Sequence, residues 1–139
     1  MKRFLLLASL LLSLDSRAQH FQVTSLSVGI HLIRAEMAIS DEERARGLMY
    51  REKLGQNEGM IFRFANNGKA CMWMKNTLVP LSVAFIAEDG KIINIEDMVP
   101  QTLDPHCAKQ VARYALEMNR GWFSKRNIKP GSVILGLPQ

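Results

Sequence analysis

The run Leu81-Ser-Val-Ala-Phe-Ile-Ala-Glu-Asp-Gly-Lys-Ile-Ile-Asn-Ile95 constrains this chain more than any other. Leu81, Val83, Phe85 and Ala87 fall on one side of an extended strand, because side chains alternate across a pleated backbone. Asp89-Gly90 then supplies the pair that best tolerates the positive φ angles of a tight hairpin turn. A two-residue loop here sets Glu88 opposite Lys91, where opposite charges support the register. A lone hairpin is marginal in water, so further strands must pair with it.

Those strands are legible along the chain. Phe21 to Ile39 is rich in Val, Ile, Leu and Thr, with His31, Ile33, Ala35, Met37 and Ile39 in one phase, and reads as one or two strands. Gly59 to Phe64 and Ala70 to Lys75 have strand character and are separated by a turn signal, Asn66-Asn67-Gly68. Val111 to Asn119 alternates between a buried side, Tyr114, Leu116 and Met118, and a polar side, Arg113, Glu117 and Asn119. Pro130-Gly131 turns the chain into a last apolar strand, Val133 to Leu137. Between strands, Ser40-Asp-Glu-Glu43 is a capping box that starts a short helix, Asp41 to about Arg46, with Gly47 as its exit. Gly121 to Asn127 accommodates a second helical turn. The hairpin-length spacings imply an α+β fold, mainly antiparallel β. It is a small, curved, partly closed β-barrel-like sheet with one or two short helices.

The chain opens with a basic Met1-Lys2-Arg3, an apolar run from Phe4 to Leu14 and a small-x-small pattern at Ser16-Arg17-Ala18. These are the parts of an export signal, and the run is too short for a spanning helix. The expected division is a signal peptide at residues 1–18 and one domain at residues 19–139. No cysteine stands at the expected cleavage point, so no lipid acceptor is offered there. The mature chain carries 15 basic and 12 acidic residues, a formal +3, scattered rather than clustered. That balance does not indicate nucleic-acid binding. The expected location is periplasmic or secreted, with no stable membrane insertion after cleavage. Cys71 and Cys107, both in the mature part, are expected to form a disulfide in an oxidising compartment.

The densest chemistry lies in Ala70-Cys-Met-Trp-Met-Lys-Asn-Thr-Leu78. On an extended backbone Cys71, Trp73 and Lys75 share one face, and Met72, Met74 and Asn76 the other. An indole plate beside an ammonium, an amide and a hydroxyl suits a polar organic ligand, a sugar or an anionic group. Glu117 and Asn119 are the partners expected from the other polar strand, with a Lys75–Glu117 ion pair as the geometric expectation. The plainer reading is that the methionines fill core gaps, Trp73 covers them and Lys75 snorkels outward.

Arg46-Gly47-Leu48-Met49, Gly59-Met60-Ile61-Phe62, Trp73-Met74-Lys75-Asn76-Thr77, Pro80-Leu81, Asp89-Gly90, Leu116-Glu117, Gly121 and Ile128-Lys-Pro-Gly131 carry a further signal. In order and spacing they resemble the domain-of-unknown-function family numbered 192, over nearly all of the mature chain. The resemblance implies one small, mostly β domain, often exported in bacteria, and no established activity. Cys71 and Cys107 depart from the commoner family pattern, and a bridge between them would pin the later loop beside the tryptophan motif.

Three classes of function follow. The first is a non-catalytic periplasmic binding or accessory module for a polar ligand at Trp73, Lys75, Asn76, Thr77, Glu117 and Asn119. Its expected partner is a small polar molecule or an envelope component, with no cofactor. The second is Cu(I) handling through Met72 and Met74, since soft thioethers select that ion. The third is a hydrolase-like enzyme using Glu117 and Lys75, although no established nucleophile, metal-protease or phosphate-loop motif is present. The balance leans away from catalysis.

Overall fold

The computed structural model describes residues 20–139; the leader expected at residues 1–18 lies outside them. From Val23 onward the chain builds β1 (Val23–Val28), β2 (His31–Ala38), helix α1 (Asp41–Arg46), β3 (Glu58–Gly68) and β4 (Cys71–Met72). It continues through β5 (Leu81–Ile86), β6 (Ile92–Met98), β7 (His106–Cys107), β8 (Ala112–Asn119), helix α2 (Trp122–Lys125) and β9 (Ile134–Leu135). Seven strands form one sheet in the order β6-β5-β8-β3-β2-β1-β9, and β4 and β7 form a separate two-stranded ribbon. The main sheet curls into a half-barrel, so the α+β, mainly antiparallel expectation holds. One pair departs from it: β2 and β3 run parallel, because the connection between them carries α1 and a long loop rather than a hairpin.

Helix α1 forms where its caps direct. Ser40 Oγ accepts from the Glu43 amide at 3.1 Å, and the Glu43 carboxylate accepts from the Ser40 and Ile39 amides at 3.0 and 2.9 Å. These backbone donors hold the Glu43 carboxyl below its usual range, the Ser40 amide contributing most. Arg44 then ties the helix to the sheet, donating to Asp41, to the Ile39 carbonyl and to the Arg63 carbonyl.

Two turns differ from the expectation. The β5–β6 connection is a three-residue loop: Ala87 N–H donates to Lys91 O at 2.9 Å, so Glu88 does not face Lys91. Lys91 forms a bridge with Val133 instead. Gly90 sits at φ +90°, and a Cβ there would stand 2.7 Å from the Ile134 carbonyl. The loop pairs a turn with a left-handed glycine, a bulge that also admits the C-terminal segment. At Asn66-Asn67-Gly68 the chain does not turn; β3 runs on to Gly68, with its register against β8 shifting after Arg63.

The C-terminal segment links the two edges of the sheet. Ile134 and Leu135 pair with β1, while Gly131, Ser132 and Ile134 exchange backbone hydrogen bonds with Gly90 and Ile92 at 2.8 Å. Open strand edges invite aggregation, and this segment covers both at one end.

The sheet is packed on both faces. One core gathers Leu26, Ile33, Ile61, Tyr114, Leu116, Trp122 and Phe123; the other gathers Met60, Phe62, Met74, Leu81, Val83, Phe85 and Ala115. Strand β8 lies between β5 and β3 and has five consecutive buried residues, Tyr114 to Met118, with Ala112 also buried and Arg113 partly exposed between them. The side of β8 expected to be polar is therefore the second core, and Glu117 lies in it, 3% exposed.

Candidate functional site

Glu117 reaches its position by strand register. Opposite it stand Met60 on β3 and Val83 on β5, so its strand neighbours offer no polar partner. Close packing fixes this spot: a Cβ on Gly59 would come within 2.3 Å of both the Glu117 carbonyl and the Met118 sulfur. The carboxyl makes no hydrogen bond or ion pair with any described residue. Burial alone raises it from the ordinary value to about 8. No side-chain oxygen among the described residues is both sealed from solvent and without a partner, so the Glu117 carboxyl keeps contact with the opening it lines.

That opening is a cavity of about 30 Å³ bounded by Arg44, Arg46, Leu48, Phe62, Met72, Trp73, Lys75, Thr77 and Glu117, among others. Helix α1 and its exit form one wall. The chain leaving β4 forms the other. The strand expected at Ala70 to Lys75 ends at Met72, and the backbone then turns at Lys75 and Asn76, Asn76 taking a φ of +51°. The turn replaces the simple alternation of faces. Met74 is fully buried in the second core and Met72 packs against its border, so the two thioethers do not form an exposed pair. Trp73 remains 48% exposed at the rim.

The expected Lys75–Glu117 ion pair is not formed. The turn carries the ammonium outward, where it stands 5.3 Å from the Trp73 ring centroid, and leaves the buried carboxyl without a cation at bonding distance. Thr77 is buried and donates its hydroxyl to the Lys75 carbonyl at 3.0 Å, leaving only acceptor capacity toward the cavity.

Four of the six candidate ligand residues, Trp73, Lys75, Thr77 and Glu117, line one cavity. Asn76 shapes the turn, and its carbonyl accepts from Tyr50 N–H at 2.9 Å. Asn119 stands apart: its amide donates to the Leu54 and Gly55 carbonyls at 3.0 and 3.1 Å and borders a different opening. Sequence pattern gives no sign of Tyr50 and Gln101. Both take left-handed backbone angles, φ +63° and +58°, and both are tied by backbone hydrogen bonds to Asn76 and Thr77. Non-glycine residues in that region cost stability and gather at sites that the surroundings over-determine.

The ribbon of β4 and β7 anchors the rim. Cys71 and Cys107 are directly opposed in it and form a disulfide with an S–S distance of 2.09 Å. Asn94 donates to the Glu96 carboxylate and the Cys107 carbonyl and accepts from the Lys109 amide, which holds the ribbon to β6. Among the described residues no cluster of three His, Cys, Asp or Glu side chains could hold a metal ion, and no helix is long and apolar enough to cross a membrane.

The model of the domain-of-unknown-function family DUF192, described as an uncharacterized ACR, matches residues 22–136. The chain is similar to a Novosphingobium aromaticivorans protein of unknown function, with 35% identity and a TM-score of 0.81 over 85% of this chain and 88% of that one. It is also similar to a Sinorhizobium meliloti protein provisionally described as a transcription regulator, with 32% identity and a TM-score of 0.81 over 84% of this chain and 95% of that one. No curated protein matches it.

Proposed function

The chain belongs to the DUF192 family, and from that premise we propose that it is an exported, non-catalytic binding module for a small polar ligand. The ligand's polar end enters the cavity above Glu117, and its body rests on Trp73 and Lys75. One observation carries this reading: a carboxyl group 3% exposed, with no partner, lines a cavity whose rim is a half-exposed indole. A carboxyl that opens only onto this cavity is poorly solvated, and a ligand that hydrogen-bonds to it there replaces solvation that it lacks. The bridged Cys71–Cys107 pair and the leader-like residues 1–18 support a periplasmic or secreted location.

The test is a melting-temperature and tryptophan-fluorescence screen over sugars, sugar acids, organic acids and cell-wall fragments. A ligand class is expected to stabilise the protein and to lose its effect in Trp73→Ala and Lys75→Met. Binding that survives both substitutions would place the ligand elsewhere. Turnover of any screened compound that vanishes in Glu117→Gln, with the fold intact, would make the protein an enzyme. Fractionation with intact-mass measurement checks location: a mature chain starting near residue 19 in the periplasm or medium is expected, and a full-length cytoplasmic chain would contradict export.

A further inference from the structure

Resting on the binding reading above, we infer that the cavity takes the carboxylate end of an organic acid, held by a neutral Glu117 carboxyl that donates its proton in a hydrogen bond. Binding is then coupled to the proton on Glu117.

Size narrows the ligand first. The cavity is narrow, about 30 Å³, and admits the polar end group of a ligand with its body left outside. A flat carboxylate can present one oxygen to Glu117 there. Its organic body then lies over Trp73, whose exposed indole suits an apolar or ring-shaped partner.

Charge narrows it further. From α1 the cavity receives Arg44 and Arg46, and from the turn after β4 it receives Lys75. The strands flanking β8 contribute Met60, Phe62 and Val83, none of them charged. None of the three acids of α1 lines the cavity: Asp41 is held by Arg44, Glu43 by the Ser40 and Ile39 amides, and Glu42 is exposed. Glu117 is thus the one carboxyl among the lining residues, with Arg44, Arg46 and Lys75 lining the same cavity. Two adjacent carboxylates cannot both stay ionised in so dry a place, so an incoming anion requires Glu117 to be neutral. A neutral carboxyl is a strong donor to a carboxylate. Its raised proton affinity, with a midpoint of about 8, supplies that form at neutral pH.

A neutral hydroxyl ligand would behave in the opposite way. An ionised Glu117 would accept its proton, and affinity would hold or improve as pH rises. The sign of the pH dependence therefore distinguishes the two chemistries.

The experiment measures dissociation constants at pH 7 and pH 9 for benzoate and benzyl alcohol, glucuronate and glucose, and inorganic phosphate. Wild-type protein and Glu117→Gln are compared, with fluorescence of Trp73 and calorimetry as readouts. The acids are expected to bind the wild type and to weaken about tenfold from pH 7 to pH 9, as a required proton is lost above a midpoint of about 8. Glu117→Gln, which keeps a donor but cannot titrate, is expected to lose the pH dependence, its affinity for the acids differing by less than about twofold between pH 7 and pH 9. Neutral partners bound as tightly as the acids, or acid affinity unchanged across the two pH values, would overturn the inference and leave the binding module standing. Phosphate bound more tightly than either acid would overturn the carboxylate assignment and the inference with it. If none of the five binds, the carboxylate assignment falls, and the wider screen above decides separately whether the module binds anything.

Discussion

At the scale of single residues, the proposed site rests on Glu117. Its carboxyl is protonated in the fold up to about pH 8 but only to an ordinary 4.5 when the chain unfolds. The folded form therefore holds more protons between those values, and stability falls as pH rises across that window. The stabilising contribution is complete below pH 4.5 and is lost as pH passes about 8, a span worth roughly 5 kcal/mol. Urea unfolding between pH 5 and pH 8.5 is expected to show this decline in the wild type and to lose most of it in Glu117→Gln. An equal decline in both would assign it to other groups. Lys75→Met is expected to change stability by less than about 1 kcal/mol, since an exposed cation–π contact contributes about that much. The residue types at the site are legible in the sequence. That Lys75 does not meet Glu117 is not, because the turn at Lys75 and Asn76 leaves the ammonium beside the Trp73 ring.

At the scale of elements, local signals are the ones the sequence carries well. Helix α1 is readable to the residue because its capping box and exit lie within eight positions of one another. Ser40→Ala is expected to cost about 1 kcal/mol, measured by chemical denaturation. Strand β8 illustrates the opposite case. Alternation separates Glu117 from Leu116 and Met118 but says nothing of what covers each side, and here both sides are covered. Strand β4 is shorter than the strand expected at Ala70 to Lys75, because the ribbon with β7 ends at Met72, before the rim turn. Its bridge encloses 36 positions of chain, and a loop of that length is worth roughly 3–4 kcal/mol in chain-entropy terms. Cys71→Ser with Cys107→Ser is therefore expected to lower the melting temperature and raise amide exchange from Ala70 to Asn76. Unchanged exchange there would mean that the turn is held without the bridge.

At the scale of the whole molecule, seven strands in a half-barrel place α1 and the rim turn on the same sheet face, and the cavity is the gap between them. The mainly antiparallel, curved sheet is readable from spacing, turn chemistry and family resemblance. The parallel β2–β3 pair and the closure by residues 131–135 depend on contacts between distant segments, which no local pattern encodes. The closure itself is testable through two neighbouring residues. Ile134→Ala, at a position 2% exposed, is expected to cost about 2–4 kcal/mol and to release the amides of Ile92 and Ile134 to exchange. Leu135→Ala, at a position 61% exposed, is expected to stay within about 0.5 kcal/mol. The proposed site rests on a largely buried carboxyl that lines a small cavity. The most direct measurement is the pH titration of the Glu117 side-chain carboxyl by carbon-13 NMR, assigned by the signal that disappears in Glu117→Gln. A midpoint near 8 is the expected result; a midpoint near the ordinary 4.5 would show an ionised, solvated group and contradict the site as described.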